Sequence, residues 1–253
     1  MIRSLFVGAL WGLTLVSSAA VVPLYTPSGS QTPSDQSWLT YNALGPAAQV
    51  GSSSGVTLDS TALMLTYAGY SNYTTSGNFK NAAFPTLNRS IGFSLRFDLQ
   101  VLSQTNNPAG STNPVGQERA GFSVILLGTD GFGIEIGFRE GQIFTQPNSS
   151  FLGLGESASF DTKSQFNRYD LSIAGSSYTL SAGGNSVLSG GLRNYSAFGQ
   201  PYNLKNFVFL GDNTTEAQAR ALLGKVELNP VPEPASILAL LTGGLAMLRR
   251  RRG

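Results

Sequence analysis

The chain has 253 residues, 16 of them basic and 14 acidic, with neither cysteine nor histidine. That excludes disulfides, the usual zinc ligands, an imidazole base and a thiol nucleophile, so any catalysis falls to carboxylates, Ser, Lys or Tyr. Arg3, Arg249 to Arg252 and Glu233 lie in two terminal segments; the body between them carries 11 basic and 13 acidic residues, without the basic excess that nucleic-acid binding requires.

Residues 1–20, MIRSLFVGALWGLTLVSSAA, set Arg3 before an apolar stretch from Leu5 to Val16 and then small residues up to Ala20. This is the order of a secretory signal peptide, with Ser18 and Ala20 fitting the pattern that signal peptidase cuts. Residues 21–36 read as a linker. A single domain is expected over 37–229, opened by strand-like stretches at WLTYNAL from Trp38, VTLDS from Val56 and ALMLTYAGY from Ala62.

IGFSLRFDLQV alternates Ile91, Phe93, Leu95, Phe97, Leu99 and Val101 against polar residues, the period of a half-buried strand. AGFSVILLG and FGIEIGF, centred on Val124 and Glu135, add two strands around the turn-rich stretch Gly128 to Gly131. RYDLSIAGSSYTLSAGGNSVLSG predicts a three-stranded meander with turns at Gly175 to Ser177 and Gly183 to Asn185. KNFVFLGD and LGKVELN read as the closing strands, and Thr214 to Leu223 between them as a short helical turn capped by Thr214 or Thr215. Many short strands and little helix predict an all-β fold, an antiparallel β-sandwich of jelly-roll type.

Residues 230–253 form a second processing segment. Pro232, Glu233 and Pro234 precede an apolar run from Ile237 to Leu248 and then Arg249, Arg250, Arg251 and Arg252. The run has 12 residues, against about 20 for a comfortable membrane-spanning helix. The arginines orient it with its basic end in the cytoplasm, leaving the domain outside. The segment resembles the PEP-CTERM sorting signal of Gram-negative bacteria. The resemblance implies recognition by exosortase, cleavage near the Pro-Glu-Pro triplet, transient contact with the inner membrane, and delivery to the envelope, cell surface or extracellular matrix.

Tyr169-Asp170-Leu171, Tyr178-Thr179-Leu180, Leu188-Ser189-Gly190, Phe209 to Thr214 and Lys225 to Leu228, with Arg119 to Val124 and Ile134 to Phe138, carry a second resemblance. From Trp38 to Leu228 the chain is similar to concanavalin A-like, laminin-G-type sandwiches of the bacterial "choice-of-anchor" kind. That resemblance assigns no activity. It implies a rim calcium, for which Asp212 is a better candidate than Asp130, although neither stretch clusters acids as calcium requires. Related sandwich folds include glycoside hydrolases with a Glu-x-Asp-x-x-Glu strand; Glu135 and Glu140 have the outer spacing, with Gly137 in the aspartate's place. Tyr195, Phe198 and Tyr202, in the polar stretch RNYSAFGQPYN, are the candidate sugar-stacking residues, against the plainer role of pinning the loop.

Together these readings predict an exported, exosortase-processed surface or matrix protein with no resident cofactor, whose non-enzymatic sandwich binds extracellular polysaccharide. The alternatives are a glycoside hydrolase using Glu135 and Glu140, and a purely structural envelope component.

Overall fold

The computed structural model describes residues 20–42, 47–62, 67–73, 80–106, 118–150 and 153–230. Both expected terminal helices lie outside these residues, as do Pro232, Glu233, Pro234 and Arg249 to Arg252. Ala20 is the first described residue and is exposed. Among the described residues no helix is long and apolar enough to cross a membrane.

In chain order the strands are β1 Val22–Tyr25, β2 Leu39–Asn42, β3 Ala48–Gly51, β4 Val56–Asp59, β5 Ala68–Ser71, β6 Phe93–Asn106, β7 Ser123–Leu127 and β8 Phe132–Arg139. They continue with β9 Gln142–Thr145, β10 Ser157–Ser159, β11 Asn167–Ala174, β12 Ser177–Ala182, β13 Asn185–Gly191, β14 Arg193–Asn194, β15 Phe207–Asp212 and β16 Ala217–Pro230. Among the described residues the fold is all-β, with two antiparallel sheets of eight strands each. The first sheet runs β13-β12-β11-β6-β16-β4-β3, with β1 also on β16; the second runs β10-β9-β8-β7-β15-β5-β2, with β14 also on β8.

Alternation builds the layer between the sheets. Phe93, Leu95, Phe97, Leu99 and Val101 of β6 are buried, as are Ile134, Ile136 and Phe138 of β8. They meet in one core in which Phe97 stacks on Tyr169 and Phe138 stands edge-on to both rings. The meander appears as β11, β12 and β13, with its turns where the glycines allow positive φ, at Gly175, Gly183 and Gly184.

Two expectations are corrected. The stretch 21–36 is not a free linker, because β1 pairs Val22 with Leu228 and buries Tyr25 completely. Thr214 to Leu223 is not helical either: from Ala217 onward it belongs to β16, paired with β6 from Ala217↔Asn106 to Pro230↔Phe93. Ala217, Ala219, Ala221 and Leu223 alternate into the core. Alanine is a strong helix former, and long-range pairing overrides that preference.

A smaller apolar cluster covers the other side of the second sheet. Ile125, Leu127, Phe207 and Phe209 face away from the first sheet and are roofed by Tyr195 and Tyr202, with Phe198 packed against them. Asn206 closes this roof in the left-handed region at φ 57, which asparagine tolerates. It accepts from Leu87 N and donates to Pro85 O, at 2.5 and 3.1 Å.

Candidate functional site

Glu135 lies mid-way along β8, pointing away from the interlayer core, yet its side chain is completely buried. Arg119 Nη2 donates to its Oε1 at 3.1 Å and Tyr202 Oη to its Oε2 at 2.7 Å. Arg119 also donates to Asn213 O at 2.9 Å, and Asn213 Nδ2 donates to Tyr202 Oη at 2.7 Å. Burial pulls the Arg119 guanidinium down, but the charges of Glu135 and Tyr202 and the bond to Tyr202 hold it above its ordinary value. Tyr202 is pushed well up, first by burial and then by the Glu135 charge. This is an enclosed ion pair in which each carboxylate oxygen of Glu135 accepts a hydrogen bond, the arrangement that makes a buried carboxylate tolerable.

Glu140 occupies a different place. It sits in the turn between β8 and β9, its side chain 38% exposed, with Lys163 Nζ 2.8 Å from Oε2 and Gln104 N donating to Oε1 at 3.1 Å. It lines a cavity of about 310 Å³ with Gln104, Arg139, Gly141 and Gln142. The two glutamates therefore have separate partners, one under a roof and one at an open rim, and do not form the expected pair. Gly137 has no room for the aspartate of the motif: a Cβ there would stand 2.7 Å from the Phe144 ring.

Tyr195 and Tyr202 are not stacking platforms. They are 0% and 4% exposed; Tyr195 Oη donates to Gln146 O at 2.8 Å, the two rings pack on each other, and Phe198 stands edge-on to Tyr202. Ring faces spent on the protein offer nothing to a sugar, so these aromatics pin the loop.

Asp212 is likewise enclosed. It accepts from Ser60 Oγ at 2.6 Å and from Thr214 N at 3.1 Å, and burial raises its carboxyl well above the usual range. Among the described residues no three acidic side chains gather to hold a metal, so the rim calcium is not assigned to Asp212. Asp130 caps Phe132 N and pairs with Arg89 at 2.6 Å, ordinary turn chemistry.

One charged cluster escapes a reading by sequence alone. Glu156 accepts from Thr145 Oγ1 at 2.6 Å, from Tyr178 Oη at 3.2 Å and from Arg193. Burial pushes its carboxyl up, but the bonds from Arg193 and Thr145 prevail and bring it down to about 2. The four residues are scattered from 145 to 193, and only the folded edge where the chain passes from β13 to β14 unites them. Arg139 escapes such a reading too: its Nε and Nη2 donate to Arg119 O at 3.2 and 3.1 Å, its guanidinium lies 4.6 Å over the Phe144 ring, and it lines the cavity beside Glu140.

No family model and no curated protein match this chain. Solved structures are similar in fold. A carbohydrate esterase from the Shiga toxin-encoding bacteriophage phi24B is 16% identical, covering 84% of this chain and 100% of that one, with a TM-score of 0.49. The Crh5 transglycosylase is 12% identical over 85% of this chain and 90% of that one, TM-score 0.45. The Trypanosoma rangeli sialidase is 12% identical over 87% of this chain, TM-score 0.44, and this chain spans only 32% of its length. All three are carbohydrate-active enzymes, whereas the sequence reading expects a non-enzymatic module; with TM-scores below 0.5 these likenesses carry no statement about the activity of this chain. At such identities the likeness is one of fold, and it assigns neither substrate nor residue here.

Proposed function

We propose that this is a carbohydrate-active enzyme of the cell exterior, with the cavity beside the β8–β9 turn as its saccharide site and Glu140 as the carboxylate that exchanges a proton with the sugar. The carrying observation is that Glu140, unlike Glu135, is an accessible carboxylate in an open cavity. Acid–base catalysis needs such a group within reach of the substrate. Gln104, Arg139 and Gln142 add planar amide and guanidinium groups suited to hydroxyls. The volume of about 310 Å³ is at the small end of ligand sites, which span about 300–1,000 Å³.

The sandwich is assigned to the concanavalin A-like type, a reading supported by the terminal strands β1 and β16 pairing within one sheet. Export rests on the terminal sequences, with signal peptidase and exosortase as processing partners and the inner membrane met only in transit.

The test is incubation of the secreted protein with a panel of polysaccharides, scoring new reducing ends and released acyl groups. Glu140→Gln is expected to lower turnover by about 100-fold or more, the usual range for removing an acid–base group. A wild-type protein that releases neither product from any polymer overturns the reading. Intact mass of the secreted form checks export, with ends expected near Val21 and near the Pro-Glu-Pro triplet.

A further inference from the structure

Phe166 is a large apolar side chain left 41% exposed, and its seat is built for it. It ends the connection 160–166, which carries the chain from β10 in the second sheet to β11 in the first. Its ring lies over Gly224 of β16, where an added Cβ would collide with the ring and stand 2.9 Å from Asp98 Cβ. The pairing of β16 with β6 shifts register between Leu223 and Val226, so the ring rests on bare backbone at a bulge.

Polar groups extend from the ring in both directions. On one side Arg168 pairs with Asp98 and Arg96 with Asp170, each at 2.8 Å. Arg96, Arg168 and Asp170 line a second cavity of about 240 Å³ with Ser181, Gly183 and Gly184. On the other side Gln100 Nε2 donates to Lys163 O at 2.6 Å, and Lys163 pairs with Glu140 at the proposed saccharide site. One connection thus carries both the partner of Glu140 and the exposed ring.

The charge pattern selects the occupant. Arg96, Arg168 and Lys163 each face a carboxylate, so the strip presents little net field to a polyanion. A single open ring among polar groups also differs from the contiguous apolar patch that a protein partner buries. We infer that this strip is an accessory surface for an extended neutral polysaccharide, with the Phe166 ring stacking on a sugar face and the flanking polar side chains holding hydroxyls. The polymer's chemical class rests on the carbohydrate reading above.

The test compares wild type, Phe166→Ala, Phe166→Tyr, Gly224→Ala and Glu140→Gln on native affinity gels containing laminarin, glucomannan or dextran, with alginate as the charged comparison. At least one neutral polymer is expected to retard the wild type more than alginate does. Phe166→Ala and Gly224→Ala should each weaken that retardation about tenfold, as loss of an aromatic anchor does. Phe166→Tyr should keep it, and Glu140→Gln should keep it while losing turnover. Unchanged retardation of Phe166→Ala, no retardation of the wild type by any neutral polymer, or stronger retardation by alginate each overturns the inference. Where wild-type turnover persists in those cases, the reading at Glu140 stands; absence of turnover on every polymer removes that reading as well.

Discussion

The outward faces of the two sheets solve the same problem in opposite ways. On the first sheet the polar half of the β6 and β11 alternation meets water, and Arg168 remains 60% exposed while paired with Asp98. On the second sheet the corresponding face is roofed by Tyr195 and Tyr202, and Arg119 and Glu135 are 5% and 0% exposed. Ion pairs of the same chemical kind are therefore cheap to lose on one face and costly to break on the other. Desolvation makes the difference, since a charge deprived of its partner can recruit water only where water reaches it.

The sharpest way to break this comparison is to remove one member of the enclosed pair. Arg119→Met is expected to destabilise by about 3–5 kcal/mol, because it leaves the Glu135 carboxylate buried without its counter-charge. Replacing both residues with apolar ones of similar volume should cost much less than the two single changes added together. Urea unfolding of the single and double variants measures this; additive losses would show that the pair is not coupled.

A second prediction concerns the join between the sheets. Asp212 closes β15 in the second sheet, and its Ser60 partner follows β4 in the first and also donates to Ala219 O of β16 at 3.2 Å. Asp212→Ala strips partners from buried groups and should cost about 1–3 kcal/mol. The pH dependence has a definite sign. Burial raises this carboxyl in the folded chain, so its contribution is fully present below the unfolded value and is lost as pH rises through the folded one. Asp212→Asn keeps the shape without the charge. Its stability relative to wild type should therefore improve from pH 4 upward, and parallel unfolding curves across that range would contradict the assignment.

These contrasts also mark what the sequence discloses. The β6 register is written in it, because Phe93 to Val101 alternate without interruption and all face the core. The first half of β16 is not, because its inward residues are alanines, whose local preference is helical and whose strand pairing depends on a partner more than a hundred residues away. The β8 alternation shows that Glu135 points away from the core. Its burial depends on Arg119 and on a roof from 195–206, neither visible in a local window. Glu140 is a neighbour in sequence and a stranger in space because the turn at Gly141 carries it to the rim, where β6 and the connection 160–166 supply its partners.

The smallest expected effect is on the open face. Arg168→Ala removes the exposed member of a pair whose side chains are 60% and 15% accessible, and the space vacated at the surface is expected to let water reach Asp98. Exposed pairs contribute about 0–1 kcal/mol and are screened further by salt. The variant should unfold within about 1 kcal/mol of wild type, with the gap narrowing between 50 mM and 1 M sodium chloride as the screening length falls to about 3 Å. A loss as large as that of Arg119→Met would mean that the two faces do not differ in the way their exposure indicates. The polar face of the first sheet would then be as tightly enclosed in solution as the roofed face of the second, and Phe166 would have no open surface on which to act.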